Sequence, residues 1–310
     1  MDEVDFYLND LKSKFIKIDP SEYYLAYSGG KDSHLIYWFL KVWLKDNDLE
    51  MYLKYKQIKI VGVNTYMEHQ DILKRIQNNC DIVLKPVLKP FEIKEKYGSP
   101  CFSKPQDEKI RRFQNGLRSE FLLKCINGYT FIGKDGKEHN STFKLNKTAK
   151  DLLLSGKLHK VSPLCCKYLK KLPMINYGKE TGRKSIMGIM ASEGKMRAAK
   201  YTSCFTKDGN FTPLWDLTEK LENEIYKKYK IDLPKVYDYI DRTGCMGCPY
   251  GSSHGNTEIE LLLVTENQYK FLWKYHGESY KVLGIKQLTE DERQRKRKSL
   301  YKQTTIYDYL

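Results

Sequence analysis

Long apolar runs are missing from this 310-residue chain, and several other features that would define its class are missing as well. No stretch is apolar over enough residues to cross a bilayer. The acidic start, Met1–Asp5, has neither the basic n-region nor the apolar h-region of a signal peptide. No internal repeat is present. These absences predict a globular cytoplasmic protein without a membrane partner.

The chain has fewer acidic than basic residues: 39 Asp and Glu against 54 Lys and Arg, which gives a net charge of +15. An excess of this size predicts a polyanionic partner, although a Lys-rich proteome would produce the same number. The length allows a large core and favours one α/β domain with an appendage. In an intracellular chain the eight cysteines are expected to be thiols or metal ligands.

The Walker phosphate-binding loop is absent, but another glycine-rich loop occupies residues 28–33. It follows the β-prone run Tyr23–Tyr27 and precedes the apolar run His34–Leu44, which predicts a strand, a loop and a helix. Such a loop offers an anion the N–H groups and the dipole of a helix N-terminus, and Lys31 adds positive charge. The alternative is a Gly-Gly turn capped by Ser or Asp.

The sequence Ser-Gly-Gly-Lys-Asp-Ser resembles the PP-loop of the ATP pyrophosphatases, which holds the pyrophosphate end of ATP. The resemblance implies ATP cleavage between the α and β phosphates, with Mg²⁺ neutralising phosphate charge. It implies catalytic roles for Lys31, which offsets charge, and for Asp32, which orients the loop or Mg²⁺. The residues implied to bind the nucleotide here are Ser28, Gly29, Gly30, Lys31, Asp32 and Ser33.

Strands are also predicted at 57–63, 81–84 and 184–190, with a helix at about 68–79. This alternation predicts the α/β class, with a parallel sheet and flanking helices. The PP-loop resemblance implies an adenine nucleotide alpha-hydrolase-like sheet. Ligands bind at the carboxyl ends of parallel strands, which is where Asn64 and Thr65 are expected. The resemblance implies that these two residues line the adenosine.

The remainder of the chain predicts more helix. An amphipathic helix is predicted at 107–125, and a polar stretch at about 126–160 predicts a hairpin or an irregular insertion. We predict an α/β nucleotide-binding domain at 1–212 and a mainly helical part at 213–310. The residues expected on the apolar face of the amphipathic helix are Ile110, Phe113, Leu117 and Phe121.

Four cysteines form two close pairs, Cys165 with Cys166 and Cys245 with Cys248. Adjacent cysteines hardly form an ordinary disulfide. Four such thiols can surround zinc or an iron–sulfur cluster, and unrelated buried thiols are the remaining alternative. The spacing resembles the 4Fe-4S pattern of the assimilatory adenylylsulfate reductases within the phosphoadenylylsulfate (PAPS) reductase family. The resemblance implies a 4Fe-4S cluster held by these four residues.

Two segments around the fourth predicted strand resemble the same family. Tyr177–Lys184 precedes the strand, and Ala191–Arg197 follows it with a Ser-Glu-x-x-x-Arg pattern. In the family this pattern faces the nucleotide, which implies nucleotide contacts for Arg183, Glu193 and Arg197; a guanidinium can bind phosphate oxygens in a bidentate fork. The alternative is a helix N-cap followed by a solvated i,i+4 ion pair.

The chain departs from the reductases at its end, because no cysteine follows Cys248. Sulfonucleotide reductases attack sulfur with a thiolate on a C-terminal segment. Reduction of an adenylylsulfate is therefore disfavoured unless Cys101 or Cys204 takes that role. Sulfate adenylylation, whose catalytic subunit carries the same loop, has no need of the four cysteines.

An intact PP-loop joined to cluster-type cysteines resembles the DNA phosphorothioation proteins and, more remotely, the cluster-dependent tRNA thiolases. This resemblance implies ATP-dependent adenylation of a nucleic acid, release of pyrophosphate and sulfur transfer, with a sulfur donor protein as a further partner. A different class stays open, namely a non-catalytic nucleotide-binding protein whose cluster is structural or senses redox state.

The C-terminal region contains two short patterns. Residues 293–298 form a basic run that can contact nucleic-acid phosphate, and a solvated helix face is the alternative. Residues 303–310 resemble the peptides that bind sliding clamps, with a glutamine, an aliphatic residue and an aromatic end.

Overall fold

The computed structural model describes residues 2–141 and 143–307. The strands are β1 (Tyr23–Ala26), β2 (Lys59–Val63), β3 (Ile82–Leu84), β4 (Thr130–Ile132), β5 (Glu138–Asn140) and β6 (Lys184–Met187). The helices are α1 (Glu3–Phe15), α2 (Lys31–Trp38), α3 (Leu44–Asn47), α4 (Leu49–Tyr55), α5 (Gln70–Asn79), α6 (Pro90–Tyr97), α7 (Lys104–Gln114), α8 (Glu120–Asn127), α9 (Lys147–Leu154), α10 (Leu172–Thr181), α11 (Lys195–Lys200), α12 (Glu219–Lys228), α13 (Asn256–Leu263), α14 (Glu266–Val282) and α15 (Glu290–Tyr307).

The chain divides into two compact units, and each unit consists of two separate segments. The first unit comprises Met1–Val87 and Lys170–Tyr237, and the second comprises Leu88–Leu169 and Asp238–Leu310. This division differs from the single boundary predicted between residues 212 and 213. A chain that leaves a unit and returns to it cannot be recognised from local sequence, because the return depends on contacts between distant residues.

The first unit is built on a four-stranded parallel sheet with the order β3-β2-β1-β6. The predicted α/β class, a parallel sheet with flanking helices, is confirmed. From β1 the chain moves outward through β2 to β3, and β6 then joins on the other side of β1. The strand order therefore reverses beside β1, and ligands of open α/β sheets bind at such a reversal, outside the carboxyl ends of the strands.

Both faces of β1 are covered by apolar side chains. Leu25 points into the main core together with Ile36 of α2 and Ile76 of α5. Tyr24 points to the opposite face, where it meets Tyr177 of α10 at a ring distance of 4.9 Å. A strand that is buried on both faces reads as a continuous apolar run, which is why β1 could be predicted from the sequence.

The helix predicted at 107–125 is two helices, α7 and α8. Gly116, at φ +88°, interrupts the path after α7, and the Ser119 hydroxyl then accepts the N–H of Leu122 to begin α8. The predicted apolar face is wrong in its second half, because Leu117 and Phe121 are exposed by 46% and 63%. Ile110 is buried as expected.

The stretch 126–160 contains an antiparallel hairpin of β4 and β5, followed by α9. From residue 214 onward the regular structure is helical, with α12 to α15. In the described part of the chain, no helix is both long and apolar enough to cross a membrane.

Candidate functional site

The glycine-rich loop lies between β1 and α2, at the carboxyl edge of the sheet. Gly29 has φ +73°, and a Cβ atom there would approach Ile72 and Ile76 of α5 to 3.0 and 3.1 Å. The position therefore requires glycine for both its backbone conformation and its surroundings. Gly30 is the N-cap of α2, so the N-cap residue itself supplies no capping side chain. A helix N-terminus without a side-chain cap is suited to an anion.

Two serines hold the loop in shape. The hydroxyl groups of Ser28 and Ser33 are 3.0 Å apart, and the Ser33 hydroxyl also donates to the carbonyl of Gly30 at 3.1 Å. The backbone N–H of Ser28 donates to Ser33 Oγ at 3.2 Å. These contacts tie the end of β1 to the first turn of α2, so the loop backbone is ordered before any ligand binds.

The end of β6 passes very close to the first turn of α2. A Cβ atom at Gly188 would lie 2.8 Å from the carbonyl carbon of Asp32 and from the nitrogen of Ser33. Only glycine allows this approach. The contact places the segment after β6 beside the loop, at the point where the strand order reverses.

Lys31 does not extend into solvent. Its ammonium group lies 3.0 Å from Glu222 Oε2 on α12 and also contacts the side-chain oxygen of Asn223. Its backbone is held as well, because its N–H donates to the Tyr237 hydroxyl at 2.9 Å and its carbonyl accepts from Tyr226 at 2.7 Å. A protein carboxylate thus pairs with the lysine that the sequence assigns to phosphate.

The Glu222 carboxyl is 2% exposed, and its Oε1 atom is buried without a hydrogen-bond partner. Burial and then the negative charge of Asp32 raise the pKa of Glu222, Lys31 opposes both effects, and the resulting pKa is about 7. Sequence reasoning missed this residue. A signal was present, since Glu222 stands between Leu221 and Ile225 on the buried face of an amphipathic helix.

Asn64 and Thr65 form a tight turn after β2. The Asn64 side chain accepts the N–H of Tyr66, which has a positive φ of 64°, and the Thr65 hydroxyl donates to Glu68 at 2.5 Å. Thr65 is fully buried, so its hydroxyl shapes the turn. Beside this turn lies a cavity of about 180 Å³. Its lining includes Ser28, Val63, Thr65, Glu68, Lys170 and Met174.

Three further residues that were predicted to bind the nucleotide flank β6, one before the strand and two after it. Arg183 precedes β6, whose first residue Lys184 pairs with Tyr23, so Arg183 lies at the amino edge, opposite to the loop. Glu193 and Arg197 follow the carboxyl end of β6 and form an ion pair with each other. The structure thus brings Glu193 and Arg197 to the loop's edge of the sheet but leaves Arg183 at the other edge.

The four cysteines of the predicted cluster site all belong to the second unit. We call Cys165, Cys166, Cys245 and Cys248 the cysteine set. In the described residues no disulfide joins any of the eight cysteines. The turn between the last two members contains Gly247 at φ +60°, where a Cβ atom would approach the Tyr280 hydroxyl to 2.8 Å.

The members of the cysteine set influence one another. A hydrogen bond with Cys166, burial and the charges of Cys248 and Cys245 raise the pKa of the Cys165 thiol. Burial and then the charges of Cys245 and Cys166 raise the pKa of Cys248. Across residues 2–141 and 143–307, however, no three Cys, His, Asp or Glu side chains converge as a metal site. The thiols share one neighbourhood, but their side chains do not have the arrangement of a cluster.

Tyr275 has a buried hydroxyl group that no sequence pattern pointed to. Burial and then the charges of all four cysteines raise its pKa. The hydroxyl is buried without a hydrogen-bond partner in the described structure. An orphaned donor is costly in the interior, and thiolate or sulfide is an acceptor that could relieve it. The four thiols, together with this unpaired hydroxyl, are therefore chemically suited to a metal or cluster that prefers sulfur ligands.

The basic run at 293–298 is only partly available to a partner. Arg293 is 2% exposed and donates to the carbonyl of Leu261 at 3.2 Å and to Glu266 at 2.7 Å. Arg297 donates to the carbonyl of Leu262 at 2.7 Å. These two arginines satisfy carbonyl groups at the end of α13. The exposed cations of the run are Arg295, Lys296 and Lys298.

The clamp-like pattern at 303–310 ends in residues 308–310, which lie outside the described residues. The preceding residues 303–307 belong to α15. The predicted clamp contact stays a prediction.

Together, the parallel sheet and the loop at the carboxyl end of β1 define an α/β protein with a glycine-rich loop at the point where the strand order reverses. No protein-family model matches the chain, and no curated protein matches it either. Among solved structures, NMN synthetase from Francisella tularensis is similar over 93% of this chain and 97% of its own, with 15% identity and a TM-score of 0.34. The U34-tRNA thiolase NcsA from Methanococcus maripaludis with its 4Fe-4S cluster is similar over 90% and 77%, with 12% identity and a TM-score of 0.34. A TM-score of this size supports no statement about activity, substrate or cofactor here.

Proposed function

We propose that the protein is an ATP pyrophosphatase of the PP-loop type that adenylates a nucleic-acid acceptor for sulfur transfer. The observation that carries the proposal is the loop at residues 28–33. It has the PP-loop sequence, follows a central parallel strand at a reversal of strand order, and ends at an N-terminus of α2 without a side-chain cap. Each of these features favours a bound phosphate chain.

The residues of the first unit divide the work of binding. Ser28, Gly29, Gly30 and Ser33 hold the pyrophosphate part of ATP through backbone and hydroxyl groups. The cavity next to Thr65 receives the adenosine. Asp32, in the first turn of α2, orients the loop or Mg²⁺. Attack of an acceptor oxygen on the α-phosphorus forms the bond to AMP and breaks the α–β bridge, and pyrophosphate leaves.

Lys31 stabilises the leaving pyrophosphate only after it exchanges partners. It pairs with Glu222, and the phosphates of ATP would offer it a stronger anion. Glu222 is thus an internal substitute for phosphate that keeps the lysine oriented.

The cysteine set is assigned to a 4Fe-4S cluster. Cys165, Cys166, Cys245 and Cys248 would hold it, and Tyr275 would donate a hydrogen bond toward it. When bound, such a cluster supplies a redox-active centre that can carry sulfur. The residues of the set would have to reorient their side chains, since they do not converge in the chain alone.

Two features weigh against adenylylsulfate reduction. Cys101 is fully buried, and burial raises the pKa of its thiol to about 12, so it is a poor nucleophile. Cys204 is half-buried and packs against the core of the first unit. Neither residue has the properties of a thiolate on a mobile segment.

The test is an assay of pyrophosphate release from ATP with tRNA and DNA as acceptors, using anaerobically purified protein. Lys31→Ala should lower the rate at least about 100-fold, because a charge that stabilises the leaving group is lost. Lys227→Ala is the matched control, since it removes an exposed lysine from α12. Equal rates for Lys31→Ala and wild type would rule out the loop assignment.

A further inference from the structure

A second, larger cavity lies on the helical face of the first unit. Its volume is about 590 Å³, within the range of small-molecule sites, and it lies between α2, α5 and the segment 229–235. None of the six loop residues from Ser28 to Ser33 lines it. It is therefore a separate space from the cavity beside Thr65.

A buried guanidinium with an unused donor lines this cavity. Arg75 is 8% exposed, and its Nη2 atom donates to the carbonyl and the carboxylate of Asp232 at 2.7 and 2.8 Å. Its Nη1 atom is buried without a hydrogen-bond partner. Leaving such a donor unpaired costs free energy, which an anionic or carbonyl oxygen in the cavity would recover.

The charges around the cavity favour an anion. Besides Arg75, its lining contains Lys74, Lys230 and Lys235, all exposed, against the two acids Asp71 and Asp232. The four cations exceed the two acids, and one of those acids is already paired with Arg75. The wall also includes His34, whose Nδ1 atom contacts the Tyr27 hydroxyl at 2.8 Å.

The other wall is aromatic. Trp38 and Tyr229 pack together with a ring distance of 4.9 Å, and Tyr37 lines the same space beside His34. Flat rings next to a guanidinium and a rim of lysines match a ligand that has a planar aromatic part and a phosphate.

We propose that the Arg75 cavity is a second binding site, which takes one nucleotide unit with its phosphate on Arg75 and its base against the aromatic wall. The unit can come from a free nucleoside monophosphate or from a single-stranded nucleic acid. The proposal does not depend on ATP binding at the loop.

The experiment is calorimetric titration of the full chain with AMP, and separately with a single-stranded tetradeoxynucleotide. Arg75→Gln should weaken AMP binding at least tenfold, whereas Asp232→Asn should leave it equal or tighter because a competing acid is neutralised. Adenosine, which lacks the phosphate, should bind at least tenfold more weakly than AMP. Lys31→Ala should leave the AMP affinity unchanged, which separates this site from the loop.

A second variant keeps the test decisive if Arg75→Gln does not fold. Lys230 has a positive φ of 49°, so Lys230→Gly relieves the backbone while it removes a rim cation. AMP affinity should fall about two- to fivefold while thermal stability is kept. Tighter binding of the oligonucleotide identifies a nucleic-acid ligand, and binding of AMP alone identifies a free nucleotide. Unchanged AMP affinity in the Arg75 or Lys230 variant, loss of AMP binding in Lys31→Ala, or no binding of either probe would overturn the proposal.

Discussion

At the scale of single residues, the candidate site contains a buried acid, Glu222, whose surroundings raise its pKa. Lys31 was identified from its place in the loop, but its partner Glu222 lies 191 positions later on α12. The pair makes the loop lysine part of the folded core instead of a flexible surface cation. A buried carboxyl of this kind gives the stability of the fold a measurable pH dependence.

Glu222→Gln tests this link. Below pH 4.5, the ordinary pKa of a glutamate, the carboxyl is protonated in both the folded and the unfolded chain, so it adds no pH dependence. Between about 4.5 and 7 the folded chain holds the proton more tightly, so ionisation weakens folding as the pH rises. The free energy of unfolding should fall by up to about 1.4 kcal/mol per pH unit in this window.

Glutamine mimics the protonated acid, so Glu222→Gln should remove that part of the slope. The measurement is urea unfolding of both proteins between pH 4.5 and 8. Parallel curves for the variant and the wild type would show that Glu222 titrates normally. Glu224→Gln, a change at a less buried acid of the same helix, is the control.

At the scale of elements, the loop is shaped by three neighbours that each approach α2 closely. Helix α5 packs closely against Gly29, and Glu222 of α12 forms an ion pair with Lys31. The residue after β6, Gly188, packs against the backbone of Asp32 and Ser33. These contacts fix the direction of α2 relative to β1. The geometry of the loop is therefore a property of element packing as well as of the loop sequence.

Gly188→Ala should disturb this packing. A methyl group 2.8 Å from backbone atoms of α2 forces a shift, which should destabilise the protein by about 1–3 kcal/mol and weaken ATP binding. Gly244→Ala is the control, because a Cβ atom there meets nothing within 4 Å. Thermal unfolding and ATP titration measure the two effects. If Gly188→Ala matched the control in both, the close approach would be unimportant.

At the scale of the whole molecule, each unit is assembled from two distant segments of the chain. The cysteine set is an example, because one pair comes from Leu88–Leu169 and the other from Asp238–Leu310. Ligation of a metal centre by both pairs would join these segments. Binding of the centre would then contribute directly to the stability of the second unit.

Cys245→Ser should lower the iron and acid-labile sulfide of anaerobically purified protein from about four per chain to near zero. It should also lower the thermal stability of the second unit, because the metal no longer joins its segments. Cys204→Ser is the matched control, a half-buried cysteine outside the set. If the wild type instead contained about one zinc per chain, the cysteine set would be a structural zinc site and the cluster assignment would be wrong. Equal iron in both variants would contradict the assignment.

The sequence alone was sufficient for the features whose causes are local. The strand–loop–helix around residues 28–33, the parallel sheet and the mainly helical end follow from apolar runs, glycines and alternation, which act over short distances. The break of the predicted helix at Gly116 was missed because the apolar spacing continues through it.

Tertiary structure decided everything that depends on distant pairs. It placed Glu222 on Lys31, put Arg183 at the edge of the sheet opposite to the loop, and buried Arg293 under the end of α13. It also formed the Arg75 cavity from three separate segments. No local pattern encodes these contacts, because the burial and pairing of a charge depend on which surfaces the folded chain brings together.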